Sequence, residues 1–391
     1  MPIARGPESQ PVVALDAEAY VAAIPALAAL VVDAVESGAG VNFMAGVSVA
    51  ETAAWWAARI AQVADGTITP FAAIEPESGR IVGSALLVRS RNANSPHRAE
   101  IAKVLVHRSA RRRGLGRALM EAVAPDLLFA TDVYAPYDVK LMRLARARGV
   151  KTVGMVRSWD NVTSKTLLMA IPDQLVVNTE RIGQEVEHYG DVPPHIITAV
   201  GIPHYDRYRD ERLRTPRREF FAKVGLRGSR KFILFTPPSD RYLKRDPVPP
   251  VVLDTLRDVP AQVLVRMPIV GKADLGDYVP PPNAVFDAPS NSPDFHEVHL
   301  SRAADQHLAD SIFHSDLVIT WASTMIIDAA LFDKPVILVG FDVTPRSYGE
   351  SILQYYDYDH QRAILATGGA RLVKSPAELK EWALRYLADP S

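Results

Sequence analysis

The chain contains no cysteine. That excludes thiolate nucleophiles, thiolate metal ligands and disulfides, and it suits a reducing compartment. A charge excess is missing too: 44 Lys and Arg stand against 45 Asp and Glu, a formal net charge of −1. A general polyanion binder needs a basic face across a whole domain, so nucleic acid is not expected as a partner. Nor is there a long apolar run. The most apolar early stretch, residues 20–32 ("YVAAIPALAALVV"), is short for a bilayer span, holds Pro25 and runs into a glycine-containing helix stop. No basic–apolar–cleavage pattern opens the chain. These absences predict a soluble, cytoplasmic chain without a membrane span. Its 391 residues leave room for two or three domains, each with its own core.

What is present falls into two rhythms. Residues 26–38 and 50–64 carry small and apolar side chains at helical spacing. Residues 70–76, 80–90 and 98–106 read as strands, the first two joined by the hairpin turn "EPESGR". Then comes "HRSARRRGLGRALM", residues 107–120, with five arginines and two glycines in fourteen positions, leading into a helix to about Val123. After "APD" at 124–126, apolar β-rich runs alternate with helix-length segments: "LLFATDV", "KTVGMV", "DQLVVN", "KFILFTPP", "AQVLVRMP", "NAVFDAP", "DLVITWA" and "PVILVGF". Continuous apolar runs of this kind belong to buried parallel strands. The predicted fold class is α/β, a mixed sheet with helices followed by doubly wound parallel Rossmann-like sheets. The expected division is 1–124, 125–208, a connection at 209–230, and 231–391.

The arginine–glycine loop is a mechanical device when a strand precedes it and a helix follows. Glycines let backbone approach a phosphate, N–H groups at a helix start face the anion, and arginines supply paired donors. A solvated basic turn would need only the glycines, so the flanking elements favour phosphate binding. The stretch "GRIVGSALLVRS…PHRAEIAKVLVHRSARRRGLGRALMEAV", within about 26–123, resembles the GCN5-related N-acetyltransferase (GNAT) family. The resemblance implies an acetyl-CoA donor whose pyrophosphate is held by Arg111, Arg112, Arg113, Gly114, Leu115, Gly116 and Arg117. The pantetheine arm would lie along Val104, Leu105 and Val106. Acyl transfer to an amine with an ordinary pKa near 10.4 needs a base or water relay at neutral pH. Glu100 is the candidate base, or else a solvent-facing carboxylate paired with Arg98 or Lys103. A tyrosine acid for the leaving thiolate falls in the region of Tyr134 and Tyr137, with Tyr137 the candidate.

Residues from about 125 to 391 resemble GT-B-type glycosyltransferases and CDP-glycerol transferases, on three stretches. They are "RGVKTVGMVRSWDNVTSK" (148–165), "VVNTERIGQEVEHYGDVPPHIITAVGIPHYDRY" (176–208) and "HSDLVITWASTMIIDAALFDKPVILVGFD" (314–342). In the last, a buried strand ends in "WAST" and a helix begins, where such sheets bind anions. The resemblance implies a UDP- or CDP-linked donor, with Ser323 and Thr324 at its diphosphate and Asp328 at its ribose. Asp160 is the candidate base toward a glycan acceptor; alternatively it and Asn161 make a turn. Against this family the opening strands of the first Rossmann-like half are missing, and the acetyltransferase-like segment stands in their place. Residues 127–156 therefore complete either the acyl pocket or the acceptor sheet.

Three readings stay open. Both modules work on an amino-sugar or glycan acceptor, only the second works, or the chain binds nucleotides without turnover. "HEVH" at 296–299 has its histidines three apart, and "DYD" at 357–359 has no fold-based need of a metal, so no metal is expected.

Overall fold

A computed structural model describes residues 12–39, 41–90, 99–165, 167–228, 230–239, 247–269, 273, 275, 277–288 and 302–389. The chain forms two compact units, one made of the chain up to Leu128 with Leu141–Thr152, the other of Phe129–Lys140 with the chain from Val153 onward.

The first unit is built on an antiparallel meander of β1 (Val12–Ala14), β2 (Ile68–Ile74), β3 (Ile81–Arg89) and β4 (Ala99–Val106), in that spatial order. Between β1 and β2 run helices α1 (Ala17–Glu36), α2 (Val49–Ala57) and α3 (Ile60–Ala64), and α4 (Leu115–Val123) follows β4. Side-chain alternation along the strands separates two cores. Ile68, Leu86 and Leu105 pack with Tyr20, Leu27, Leu30, Val31 and Trp56 on one face. Phe71, Ala73, Val82 and Ala85 pack with Leu115, Leu119 and Val123 of α4 on the other.

Two helix boundaries differ from the sequence expectation. α1 starts nine residues earlier than position 26 because Asp16 caps it, accepting from the Ala19 amide at 2.8 Å. Pro25 is carried inside the helix, at the loss of one backbone hydrogen bond. At 20 residues α1 is long and apolar enough to cross a membrane by length and composition. Its role here comes instead from its packing, with Tyr20, Leu27, Leu30 and Val31 in the core. The expected helix over 50–64 is two helices. The first is closed at its start by a capping box in which the Glu51 amide donates to Ser48 Oγ and the Ser48 amide to Glu51.

Beyond α4 come β5 (Leu127–Ala130), α5 (Pro136–Ala147), β6 (Lys151–Met155), α6 (Asn161–Ser164), β7 (Gln174–Val177), α7 (Glu180–Gly190) and β8 (Ile197–Ala199). The strands form one sheet in the order β5-β6-β7-β8, with β6, β7 and β8 paired in parallel. β5 therefore pairs with β6 in this sheet, and among the described residues no strand pairs with the outer edge of β4. β6 requires glycine at 154: a Cβ there would stand 2.5 Å from Val133 Cγ1 and 2.9 Å from Pro172 Cγ. Gly154→Val should cost about 1–3 kcal/mol or more through overpacking, read as a lower unfolding midpoint in urea.

A 3₁₀ turn at Pro203–Arg209 leads into the expected connection, which contains a second at Glu211–Leu213 and then α8 (Arg217–Val224). The remaining elements are β9 (Phe232–Phe235), α9 (Val248–Thr255), β10 (Gln262–Arg266), β11 (Ala284–Asp287), α10 (Arg302–His314), β12 (Leu317–Thr320), α11 (Met325–Leu331), β13 (Val336–Val339), α12 (Asp359–Ala366), β14 (Arg371–Val373) and α13 (Pro376–Ala388). Their six strands are parallel and ordered β11-β10-β9-β12-β13-β14. Counted from β9, this is the doubly wound order 3-2-1-4-5-6. Both faces are covered. Ile233, Phe235, Val263, Ile319 and Ile337 meet the α9 and α13 side; Phe232, Leu234, Leu264, Val318 and Leu338 meet residues of α8, α10 and α11.

Candidate functional site

In the first unit, β4 ends at Val106, His107 and Arg108 open a short 3₁₀ turn, and the chain then bends twice into α4. Arg112 has φ +66° and Gly114 φ +82°. The left-handed region is costly for Arg112 and natural for glycine. Residues of alternating hand turn successive N–H groups toward one concavity. Gly114 is the N-cap of α4, and no side chain caps the first turn, so its leading N–H groups and the positive end of the helix are left to an anion. A Cβ on Gly114 would meet nothing within 4 Å, and one on Gly116 only Val106 Cγ2 at 4.0 Å. The space beside both glycines is open.

The arginines divide the work. Arg111 Nε donates to the Val106 carbonyl at 3.2 Å, Arg113 Nη1 to Glu75 at 3.2 Å, and Arg117 Nε to Glu121 at 2.8 Å. Three of the four arginines expected at a phosphate are thus engaged with the protein, and among the described residues only Arg112 of the four has no such partner. Arg108 makes the strongest attachment. Its amide donates to Asp33 Oδ2 at 3.0 Å, its Nε to Asp33 Oδ1, and its Nη2 to Glu36 at 2.6 Å. Asp33 is buried on α1, and His107 stands 3.4 Å from the same carboxylate. Sequence reading missed this anchor. Its signal was a carboxylate inside the apolar run "AALVVDAV".

Leu105 of β4 is buried and Val104 exposed, and among the described residues β4 is the last strand of its sheet. Glu100 is exposed on β4, opposite Val88. Tyr134 and Tyr137 belong to the second unit. Tyr134 is buried, its phenol pushed up to about 12 by burial and by Asp132, whereas Tyr137 is 74% exposed.

In the second unit, the strand order reverses between β9 and β12, and ligands of such sheets bind outside the carboxyl ends there. Thr236 follows β9, and its hydroxyl donates to Thr320 Oγ1 at 2.7 Å; Thr320 Oγ1 lies 3.1 Å from Ser323 Oγ. Ser323 Oγ also accepts from the Met325 amide at 3.3 Å, while Thr324 makes no side-chain cap. Ser323 is therefore placed at the switch point by a chain of hydroxyls.

Asp328 is oriented otherwise than expected. It is 6% exposed, accepts from Tyr208 Oη at 3.0 Å, and faces the interior rather than a ligand crevice. Its neighbours along "MIIDAALF" are apolar, and Asp328 is buried together with Ile326 and Ala329, whereas Leu331 is exposed. Burial raises its carboxyl from 3.8 to about 6, against the opposing pull of Tyr208 and His204. Folding therefore takes up a proton between about pH 4 and 6; this contribution is complete below about pH 4 and lost as pH rises through about 6. Asp328→Asn should thus raise the melting temperature near neutral pH, by up to ~3 kcal/mol of stability, with the gap closing in acid.

Asp160 opens α6. Ser158 Oγ donates to Asp160 Oδ1, and Ser164 Oγ reaches Oδ2 at 3.2 Å. The neighbouring Trp159 ring meets the His360 ring edge-on at 4.6 Å, and Thr163 Oγ1 lies 2.7 Å from His360 Nδ1. Burial lowers the pKa of His360, which keeps the ring neutral at physiological pH. Thr163 and His360 are additions the sequence did not signal, being 197 positions apart. Of the motifs set aside, "DYD" splits between partners: Asp357 accepts from Tyr348, and Asp359 from Tyr189 at 2.8 Å. "HEVH" lies outside the described residues. Among the described residues no group of three or more potential ligands gathers for a metal.

Residues 46–157 match the model of the Acetyltransferase (GNAT) family. The match spans the loop with its strand and helix and continues through β5 and β6. Solved structures similar to it include a UDP-GlcNAc 2-epimerase from Neisseria meningitidis bound to UDP-GlcNAc, with 12% identity, TM-score 0.46, and 70% of this chain and 71% of that one covered. MnaA of S. aureus with UDP has 13% identity and TM-score 0.45, covering 70% of each chain. The wall teichoic acid polymerase TagF has 12% identity and TM-score 0.37, covering 71% of this chain and 85% of that one.

Proposed function

We propose that the first unit is an acetyl-CoA-dependent N-acyltransferase, with the loop from Arg111 to Arg117 as its diphosphate cradle. The carrying observation is the paired positive φ of Arg112 and Gly114 ahead of an uncapped helix start. Acetyl-CoA supplies an activated thioester. The N–H groups at the start of α4 and the Arg112 guanidinium hold the diphosphate, and Arg111 fixes the loop to the end of β4. The edge of β4 at Val104–Val106 offers backbone groups to the extended arm, in the manner of an added strand. The acceptor is an amine, deprotonated by Glu100 directly or through water. An acyl-CoA donor and the lack of cysteine both suit the cytoplasm.

A second reading concerns the other unit. The hydroxyls of Thr236, Thr320 and Ser323 at the switch point favour a nucleotide-sugar or CDP-polyol donor there, with Asp160 beside His360 serving a glycan acceptor. An amino-sugar would then link the two activities.

The test is thiol release from acetyl-CoA in the presence of a panel of amines and amino-sugars. Amine-dependent release that Glu100→Gln slows supports transfer. Binding without release for any amine supports the non-catalytic alternative. UDP-GlcNAc and CDP-glycerol titrations of wild type and Ser323→Ala test the second reading.

A further inference from the structure

Immediately before the proposed pantetheine strand, β4 is interrupted. Its register against β3 shifts between Ser84 and Leu86, and Lys103 takes φ +51°, a conformation costly for a side-chain-bearing residue. Buried Ser84 fixes the bulge by donating its hydroxyl to the Lys103 carbonyl at 3.0 Å. The Lys103 side chain is thereby delivered into a box of aromatic rings. Its Nζ donates to the Val41 carbonyl and stands 5.0 Å from the Phe43 ring centre and 4.7 Å from that of Trp55.

The Lys103 amine is held by two aromatic rings and one carbonyl rather than by a carboxylate. Among the described residues no carboxylate makes an ion pair with it, and the nearest charges are Arg59, whose guanidinium lies 3.2 Å from the Trp55 ring centre, and Glu100 on its own strand. Burial and Arg59 lower its pKa to about 8 despite Glu100. At neutral pH the free-amine fraction is then on the order of a hundredfold above that of an ordinary lysine.

We propose that Lys103 is a self-acetylation site of the first unit, its amine seated in the Val41–Phe43–Trp55 box one residue from the strand that takes the acyl donor. This rests on the acetyl-CoA reading above. The neutral Nζ attacks the thioester carbonyl, the N–C bond forms as the C–S bond breaks, and the leaving thiolate takes the proton that Nζ loses. The product amide keeps an N–H for the Val41 carbonyl and removes the cation from both rings.

The full chain is incubated with acetyl-CoA, and acetylated peptides are followed by mass spectrometry, with Trp emission recorded alongside and acetyl-CoA binding measured by calorimetry. Lys103 should be acetylated at least ~10-fold faster than exposed lysines such as Lys140, as its free-amine fraction requires. The excess should vanish in Gly114→Glu. Lys103→Arg should bind acetyl-CoA, stay unlabelled, and lose the accompanying change in Trp emission. Binding without acetylation of Lys103 overturns this inference alone, as does equal labelling in Gly114→Glu. Absence of acetyl-CoA binding to the folded wild type overturns the donor reading and this inference with it.

Discussion

Gly114→Glu folds and loses acetyl-CoA. Residue 114 sits at φ +82° with open space where a side chain would begin. The left-handed conformation costs a side-chain-bearing residue roughly 1–2 kcal/mol, a loss one residue of a folded unit can absorb. The carboxylate, however, is then placed in the hollow assigned to the diphosphate. At an effective dielectric near 20, two like charges about 5 Å apart repel by about 3 kcal/mol. Affinity should therefore fall by roughly a hundredfold or more. Gly114→Asn is the control for strain, because Asn tolerates this conformation and adds no charge. It should bind within about tenfold of wild type, its strain being roughly 1 kcal/mol or less. Calorimetric titration of the three proteins gives the comparison directly.

Asp33→Ala should lower both stability and affinity. The Asp33 carboxylate is buried and holds the Arg108 amide at 3.0 Å, the Arg108 guanidinium, and the neighbouring imidazole of His107 at 3.4 Å. Breaking a fully buried ion pair costs about 3–5 kcal/mol, but Arg108 is half exposed and water compensates part of the loss. About 2 kcal/mol remains, from charge-assisted hydrogen bonds given up by a buried acceptor. For a unit of this size that is roughly 4–8 °C in melting temperature by scanning calorimetry. Because Arg108 lies only three residues before Arg111, releasing it also unpins the loop, and acetyl-CoA binding weakens with it. Glu36→Ala is the contrasting variant. Its carboxylate is 61% exposed, so its removal should change the melting temperature by little.

The parts of this molecule written in local pattern are legible in the sequence alone. The run from β4 through the glycines to α4 is continuous in sequence, and so are the apolar strands "FILF", "VLV" and "VILV", whose burial on both faces leaves no polar alternation. What escaped depends on partners far along the chain. Nothing near Arg108 announces that α1, 75 residues earlier, supplies its carboxylate. Nothing near Asp328 announces Tyr208, 120 residues earlier. The residues expected to hold phosphate were read as equivalent arginines, whereas neighbours such as Glu75 and Glu121 engage all but Arg112 of the four. The place of β5 was open for a plain reason. A four-residue apolar strand fits either sheet, and only its pairing with β6 decides.

The most direct test of the central claim asks which part of the donor the loop holds. Acetyl-CoA bound to the full chain is challenged with dephospho-CoA, which keeps the diphosphate, and with pantetheine, which has none. A diphosphate cradle at Arg112 and Gly114 predicts displacement by dephospho-CoA and none by pantetheine at the same concentration. Equal displacement by pantetheine, or acetyl-CoA binding that survives Gly114→Glu unchanged, would contradict it.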